Sequence, residues 1–205
     1  MTDDANSVKI AARAYHHGAL HPALIAAAEA VIAERGVDGF SLRETARRAG
    51  VSPSAPAHHF GDARGLLTAI ATAAFDALGD ALQEACAAGS RDERVRAQGL
   101  AYVRFALANR ARFDVMWRAA LLDGEDEAYA AAGRRAFGLL DAAVRGEGAT
   151  REGPIDPALA PSIACWAIVH GFARLAIDGV FGTGRGAAER AADSLLPLVL
   201  DRLSV

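Results

Sequence analysis

Residues 41–60, SLRETARRAGVSPSAPAHHF, constrain this chain more than any other stretch. Ser41 and Glu44 stand in the S-x-x-E spacing of a capping box, in which two side chains satisfy backbone donors at a helix start. Leu42, Ala46 and Ala49 follow at helical spacing and predict one apolar stripe. Gly50 stands where the chain must leave that helix, because glycine takes positive φ at little cost. Ser52 followed by Pro53 predicts a second helix start, a cap and then proline at the first helical position. A helix, a turn of about three or four residues and a second helix form the arrangement that lays the second helix in the major groove of DNA. An ordinary helical hairpin has the same outline, so the flanks decide between the two.

Upstream, Leu20, Leu24, Ala28, Val31 and Ile32 predict an amphipathic helix that starts near Pro22 and stops at Gly36. Downstream, Asp62 is expected to cap a further helix with Leu66, Leu67 and Ile70 inward. The layout over residues 16–78 resembles the TetR-type transcriptional regulators. The match lies in HHGAL at 16–20, RGVDGFS at 35–41, AGVS at 49–52 and HHFGD at 58–62. A second resemblance lies at Trp166, His170 and Gly171, whose Trp-x-x-x-His-Gly order looks like the WHG type of TetR C-terminal domain.

Composition agrees with a helical fold. The chain has 205 residues, enough for a sizeable core without several large domains. Alanine is abundant, β-branched residues are sparse, and no alternating apolar pattern persists. The expected fold is all-α: an N-terminal three-helix helix-turn-helix domain over residues 14–74 and a helical C-terminal effector-binding and dimerisation domain over 75–205, about nine helices in all. Helices are expected over 62–88, 90–108, 113–122, 125–145, 157–181 and 187–203, with a polar loop at 146–154. Cys86 and Cys165 make no disulfide framework and read as small apolar fillers. The N-terminal stretch has no signal-peptide core, and His170, Arg174 and Asp178 make residues 163–181 a poor membrane span. A cytoplasmic chain with no membrane partner and no cofactor is expected.

Net charge is −3, so the whole molecule is not basic. Phosphate responds to the local field, and Arg43, Arg47, Arg48 and Arg64 outnumber Glu44 and Asp62 near the motif. Lys9 is the only lysine; arginine suits forked contacts to phosphate or guanine.

The expected contacts with double-stranded operator DNA come from the helix that starts near Ser52. Ser54, Ala55, Ala57 and His58 lie nearest the bases, and either alanine suits a thymine methyl. Ser41, Arg43, His59 and Arg64 suit phosphates, and His17 with Gly18 suits an N-terminal arm. Three positions depart from the family: Ala57 stands where an aromatic is common, Ala63 where a lysine is common, and Pro56 sits inside the recognition helix. Pro56 predicts a start later than Pro53 or a distorted first turn.

Tyr102, Phe105, Phe113, Met116, Trp117, Phe137, Trp166 and His170 are expected to line an apolar cavity with a few polar groups, the form of most small-molecule sites. The bland alternative for each is core packing, with His170 hydrogen-bonded to a carbonyl or hydroxyl. In the family such a cavity holds an effector that releases the protein from DNA. Leu195, Leu196, Leu198, Val199, Leu200 and Leu203, with the helix over 157–181, offer more apolar surface than solvent-facing helices need, and predict a homodimer through a four-helix interface. Other readings are a DNA-binding architectural protein without effector and a metalloenzyme using His16, His17, His21, His58 and His59. No H-E-x-x-H pattern supports the latter, and no metal site is expected.

Overall fold

The computed structural model describes residues 4–85, 89–150, 152, 153 and 155–202, with side chains from residue 20 onward. Ten α-helices and three 3-10 turns make up the regular structure among these residues, against the expected nine or so. The helices are α1 (Asp4–Arg35), α2 (Leu42–Arg48), α3 (Ala55–Phe60), α4 (Ala63–Ala85), α5 (Arg91–Ala108), α6 (Arg110–Met116), α7 (Glu127–Arg145), α8 (Ala160–Ile177), α9 (Ala187–Ser194) and α10 (Leu196–Leu200).

α1 begins well before the expected start and carries Pro22 inside it. Proline removes one backbone donor, but the alanine-rich sequence on both sides favours helix strongly enough to run through it. Leu24, Ala28, Val31 and Ile32 are buried as their spacing predicts. They meet α2 and α4 to form the three-way packing around the motif. Asp62 Oδ1 accepts from the Gly65 amide at 2.9 Å and so caps α4, whose Leu66, Leu67 and Ile70 point inward.

α4 is the spine. It packs most extensively against α7 and also against α5 and α6. Residue 74 falls inside it, so the helix runs without interruption across the expected domain boundary. The hydrophobic core is likewise continuous, from Ala28 and Ile32 through Leu66 and Leu78 to Phe113, Phe172 and Leu196.

Several expected ends move. Ser90 and Glu93 form the second capping box as anticipated, at the start of α5. The helix expected over 113–122 becomes α6 plus a 3-10 turn, Ala119–Leu121. The penultimate helix ends at Ile177, where Asp178 is the C-cap, rather than at residue 181. Pro197 breaks the last helix into α9 and α10, since it has no N–H to continue the ladder. Cys165 is buried as a small core group, whereas Cys86 and Leu203 lie outside the described residues.

Candidate functional site

The motif folds with a shorter second helix than its cap pattern implies. Gly50 takes φ 68°, and the Val51 amide donates to the Ala46 carbonyl at 3.0 Å, which closes the turn after α2. Residues Pro53 and Ser54 form a turn, Ser54 is the N-cap, and α3 begins at Ala55 with Pro56 at N1/N2. The start near Ser52 is therefore too early. A proline at residue 56 is accommodated because the first turn of a helix does not need its N–H.

The capping box expected at Ser41 and Glu44 does not form: Ser41 is the N-cap but makes no side-chain cap hydrogen bond. Arginines claim the carboxylate instead. Arg47 binds it through both Nε and a terminal nitrogen at 2.8 Å, Arg48 Nε reaches it at 3.1 Å, and Arg35 at 3.3 Å. The hydrogen bonds from Arg47 and then Arg48 hold the Glu44 carboxyl down at about 2. Arg48 also pairs with Glu34 on α1. The net field of the motif is thus weaker than a count of its arginines implies.

Ser52, Ser54, Ala57 and His58 are exposed on the outer face of this unit, as is Arg43 on α2, whereas Ala55 and His59 are half-buried. Ser52 and Ser54 hydroxyls lie 3.2 Å apart. His21 packs its ring on Phe60 at 4.5 Å, tying α1 to the end of α3. Arg64 behaves differently from the phosphate contact expected of it. Its Nε donates to the Leu122 carbonyl at 2.8 Å and so joins the start of α4 to the segment after α6. The side chains of His16 and His17, and any contact made at Gly18, lie outside the described residues. No group of three or more His, Cys, Asp or Glu side chains that could hold a metal occurs among the described residues.

The second feature is a partly open cavity of about 220 Å³ between α4, α5, α7, α8, the C-terminal end of α6 and Leu200 of α10. Tyr102, Trp117, Phe137 and Trp166 line it, as their spacing and aromatic character led one to expect. Phe105, Phe113, Met116 and His170 do not; the first three are buried in the core behind the wall. On α5 the lining runs through Val95, Gln98, Gly99 and Tyr102 and stops there, and Phe105 lies about one turn farther along the same side. Trp117 is the hub of the aromatic group, with ring centroids of Phe75 and Trp166 each at 5.3 Å and His170 at 4.9 Å.

His170 sits behind the wall and holds Tyr102. The Tyr102 hydroxyl lies 2.9 Å from His170 Nδ1 and 3.4 Å from Trp166 Nε1. Indole can only donate, so the hydroxyl accepts from Trp166; the direction of its bond with His170 follows the imidazole tautomer. Burial, and then the charge of Arg174, lower the His170 pKa below its ordinary value. Burial also pushes the Tyr102 hydroxyl well up, so both groups are neutral. A Cβ at Gly171 would meet nothing within 4 Å, so no helix of this chain closes on that glycine.

The sequence reading missed Gln98, which is 1% exposed and lines the cavity. Its Nε2 reaches the carbonyls of Leu139 at 3.3 Å and Leu82 at 3.5 Å, while its Oε1 has no partner. Trp117 Nε1 is also buried without one. A buried polar atom without a partner costs about 1–3 kcal/mol, a cost that native proteins rarely leave uncompensated. The available signal was a lone glutamine between Val95 and Tyr102 on the apolar face of a helix.

Comparison with known proteins places both features in one setting. The profile of "Bacterial regulatory proteins, tetR family" matches residues 24–70, and that of "Tetracyclin repressor-like, C-terminal domain" matches residues 95–199. A structure of a protein with unknown function from Rhodococcus sp. RHA1 is 36% identical, with TM-score 0.67 over 89% of this chain and 96% of its own. The TetR family transcriptional regulator PfmR from Thermus thermophilus is 24% identical, with TM-score 0.67 over 89% of this chain and 99% of its own. AibR, crystallised in complex with isovaleryl coenzyme A and operator DNA, is 21% identical, with TM-score 0.64 over 87% of this chain and 97% of its own. The last two comparisons concern the fold alone. No curated protein sequence matches the chain.

Proposed function

Because this chain belongs to the TetR family of DNA-binding transcriptional regulators, we propose that it is a homodimeric repressor that leaves its operator when a small, partly apolar effector fills the cavity beside α4. The observation that carries this reading is the cavity itself, about 220 Å³ and lined almost wholly by apolar side chains, walled by the same helix that begins just after the motif. Residues 14–74 act as the DNA-binding part and 75–205 as the effector and dimer part, joined by α4. AibR offers a precedent of the same fold for a coenzyme A ester and operator DNA in one complex. The order Trp166, His170, Gly171 supports assignment to the WHG type.

In this reading α3 enters the major groove. Ser54, Ala57 and His58 stand nearest the bases, with Ala55 and Ser52 at the edge, while Arg43, Ser41 and His59 meet phosphates. A dimer through α8, α9 and α10 presents two such helices to two half-sites. The exposure of Ile163, Leu175, Leu195 and Leu198 on or beside these helices supports it.

Fluorescence anisotropy tests the reading, with DNA from just upstream of the chain's own gene set against scrambled DNA across a salt series. A preference of about a thousandfold or more is expected, falling as salt rises. Equal, weak binding to both sequences, unchanged across a metabolite panel, would favour an architectural DNA-binding protein instead.

A further inference from the structure

We propose that the ligand of this cavity, taken as the effector site above, is an uncharged, ring-sized molecule that presents one hydrogen-bond acceptor to Trp117 Nε1 and one donor to Gln98 Oε1. Three observations converge on that chemistry.

The first is size. An apolar cavity of about 150 Å³ takes benzene, so about 220 Å³ takes a ring with about three further non-hydrogen atoms. The second is charge. Among the described residues its walls hold no Lys, Arg, His, Asp or Glu, so a carboxylate or phosphate inside would be desolvated without a counter-ion. A coenzyme A ester, with its several phosphates, has neither the size nor the charge for it.

The third is the pair of unpartnered atoms. Gln98 cannot turn its amide round to satisfy its oxygen, because the carbonyls of Leu82 and Leu139 require the NH2 end. Trp117 has a donor and nothing to give it to. The Tyr102 hydroxyl, also on the wall, is already engaged with His170 and Trp166, and the Cys165 thiol is only a weak donor. A ligand that draws Gln98 Oε1 and Trp117 Nε1 toward it therefore meets one acceptor and one donor without partners, in a largely apolar surface. A primary amide or a hydroxyl on a ring meets both; a plain hydrocarbon meets neither.

Trp117 and Trp166 are the chain's two tryptophans, and both line the cavity, so intrinsic fluorescence reads its occupancy without DNA. The full chain is titrated with benzamide, with benzoate as the anion of the same shape, and with ethylbenzene as the apolar match. Benzamide should bind most tightly, with benzoate weaker by at least about tenfold. Gln98→Leu should weaken benzamide by at least about fivefold while leaving ethylbenzene unchanged or tighter. Trp117→Phe keeps a ring in place and removes the donor; it should give the same selective loss, read from Trp166, and it serves should Gln98→Leu fail to fold.

The proposal is overturned if benzoate or isovaleryl coenzyme A binds as well as benzamide, or if neither neutral probe binds. Equal loss for benzamide and ethylbenzene in both variants overturns it as well. Operator release is measured separately. Selective benzamide binding that leaves the DNA complex intact sinks the effector reading and keeps the ligand class. Release by an anion that occupies this cavity does the reverse.

Discussion

At Gly65 a Cβ would stand 1.9 Å from the Phe60 carbonyl oxygen, a backbone atom that cannot swing aside. The end of α3 lies this close to α4 only because position 65 has no side chain. Gly65→Ala is therefore expected to push α3 off its seat, lowering operator affinity by at least about tenfold while ligand-induced tryptophan fluorescence is retained. Anisotropy and fluorescence on the same variant check both halves. Glu44 makes the complementary case, because it neutralises Arg47 and Arg48 of the motif. Glu44→Gln should raise affinity for scrambled DNA and steepen the salt dependence by about one released counter-ion; an unchanged slope would show that Arg47 and Arg48 do not meet phosphate. His170 supplies a pH signature. Its native pKa lies below the ordinary 6.5, so the folded state resists a proton that the unfolded state accepts. Its contribution is complete above pH 6.5 and is lost as pH falls toward the native value. Melting temperature should drop on going from about pH 7 to about pH 5, and His170→Asn should flatten that drop. Spacing revealed the candidates at this scale but not their bonds. Ser41 and Glu44 have the right separation for a cap, yet nothing in four residues says that three arginines will take the carboxylate. Gly65 looks in sequence like a mere weak helix position.

Helices were legible where their signals are local. The Ser90–Glu93 box, the Asp62 cap and the glycine exit at residue 50 all act within one turn, so the sequence around them suffices. The ends of the last helices were not, because the apolar run continues past the breaks at Asp178 and Pro197. That run divides between two destinations. Leu196 and Leu200 enter the chain's own core, whereas Leu198 on α10 is 62% exposed and Leu175 on α8 is 46% exposed. Alanine, isoleucine and glycine at 164, 167, 168 and 171 complete an α8 face without a charge between Leu175 and Ile163. α8 with its preceding turn, and α4, have the length and hydropathy of membrane spans. α4 turns its apolar side to α5, α6 and α7, and α8 anchors Arg174 to Asp114 and Asp178. In the proposed dimer a second copy covers this face. Leu175→Glu combined with Leu198→Glu is expected to give a monomer in sedimentation analysis with unchanged helix content, and to cost most of the operator affinity. A pair that stays dimeric places the interface elsewhere.

The whole molecule joins two regions through one continuous core, and its least obvious link is the short helix α6. Trp117 at its C-terminal end lines the cavity, and the same helix holds the DNA-facing part by Arg112, whose Nε lies 2.7 Å from Glu29 of α1. Just beyond, Arg118 reaches Asp38, and the Leu122 carbonyl and Asp123 amide hold Arg64 and Thr68 at the start of α4. The all-helical plan was readable because periodicity is a property of each segment. These contacts were not, because their partners lie about 50–80 positions apart in sequence and only packing brings them together. Coupling between the regions is a free energy that both ligands must share, so it can be reduced without touching either site. Arg112→Ala leaves every residue of the cavity wall and of α3 in place. It is expected to bind the cavity ligand with wild-type affinity in the fluorescence titration and operator DNA to within about threefold. The ligand-induced loss of DNA affinity, however, should shrink by at least about fivefold, a change within the usual range of coupling energies. Undiminished release would mean that the signal travels along α4 alone, and that the α6–α1 ion pair only stabilises the fold.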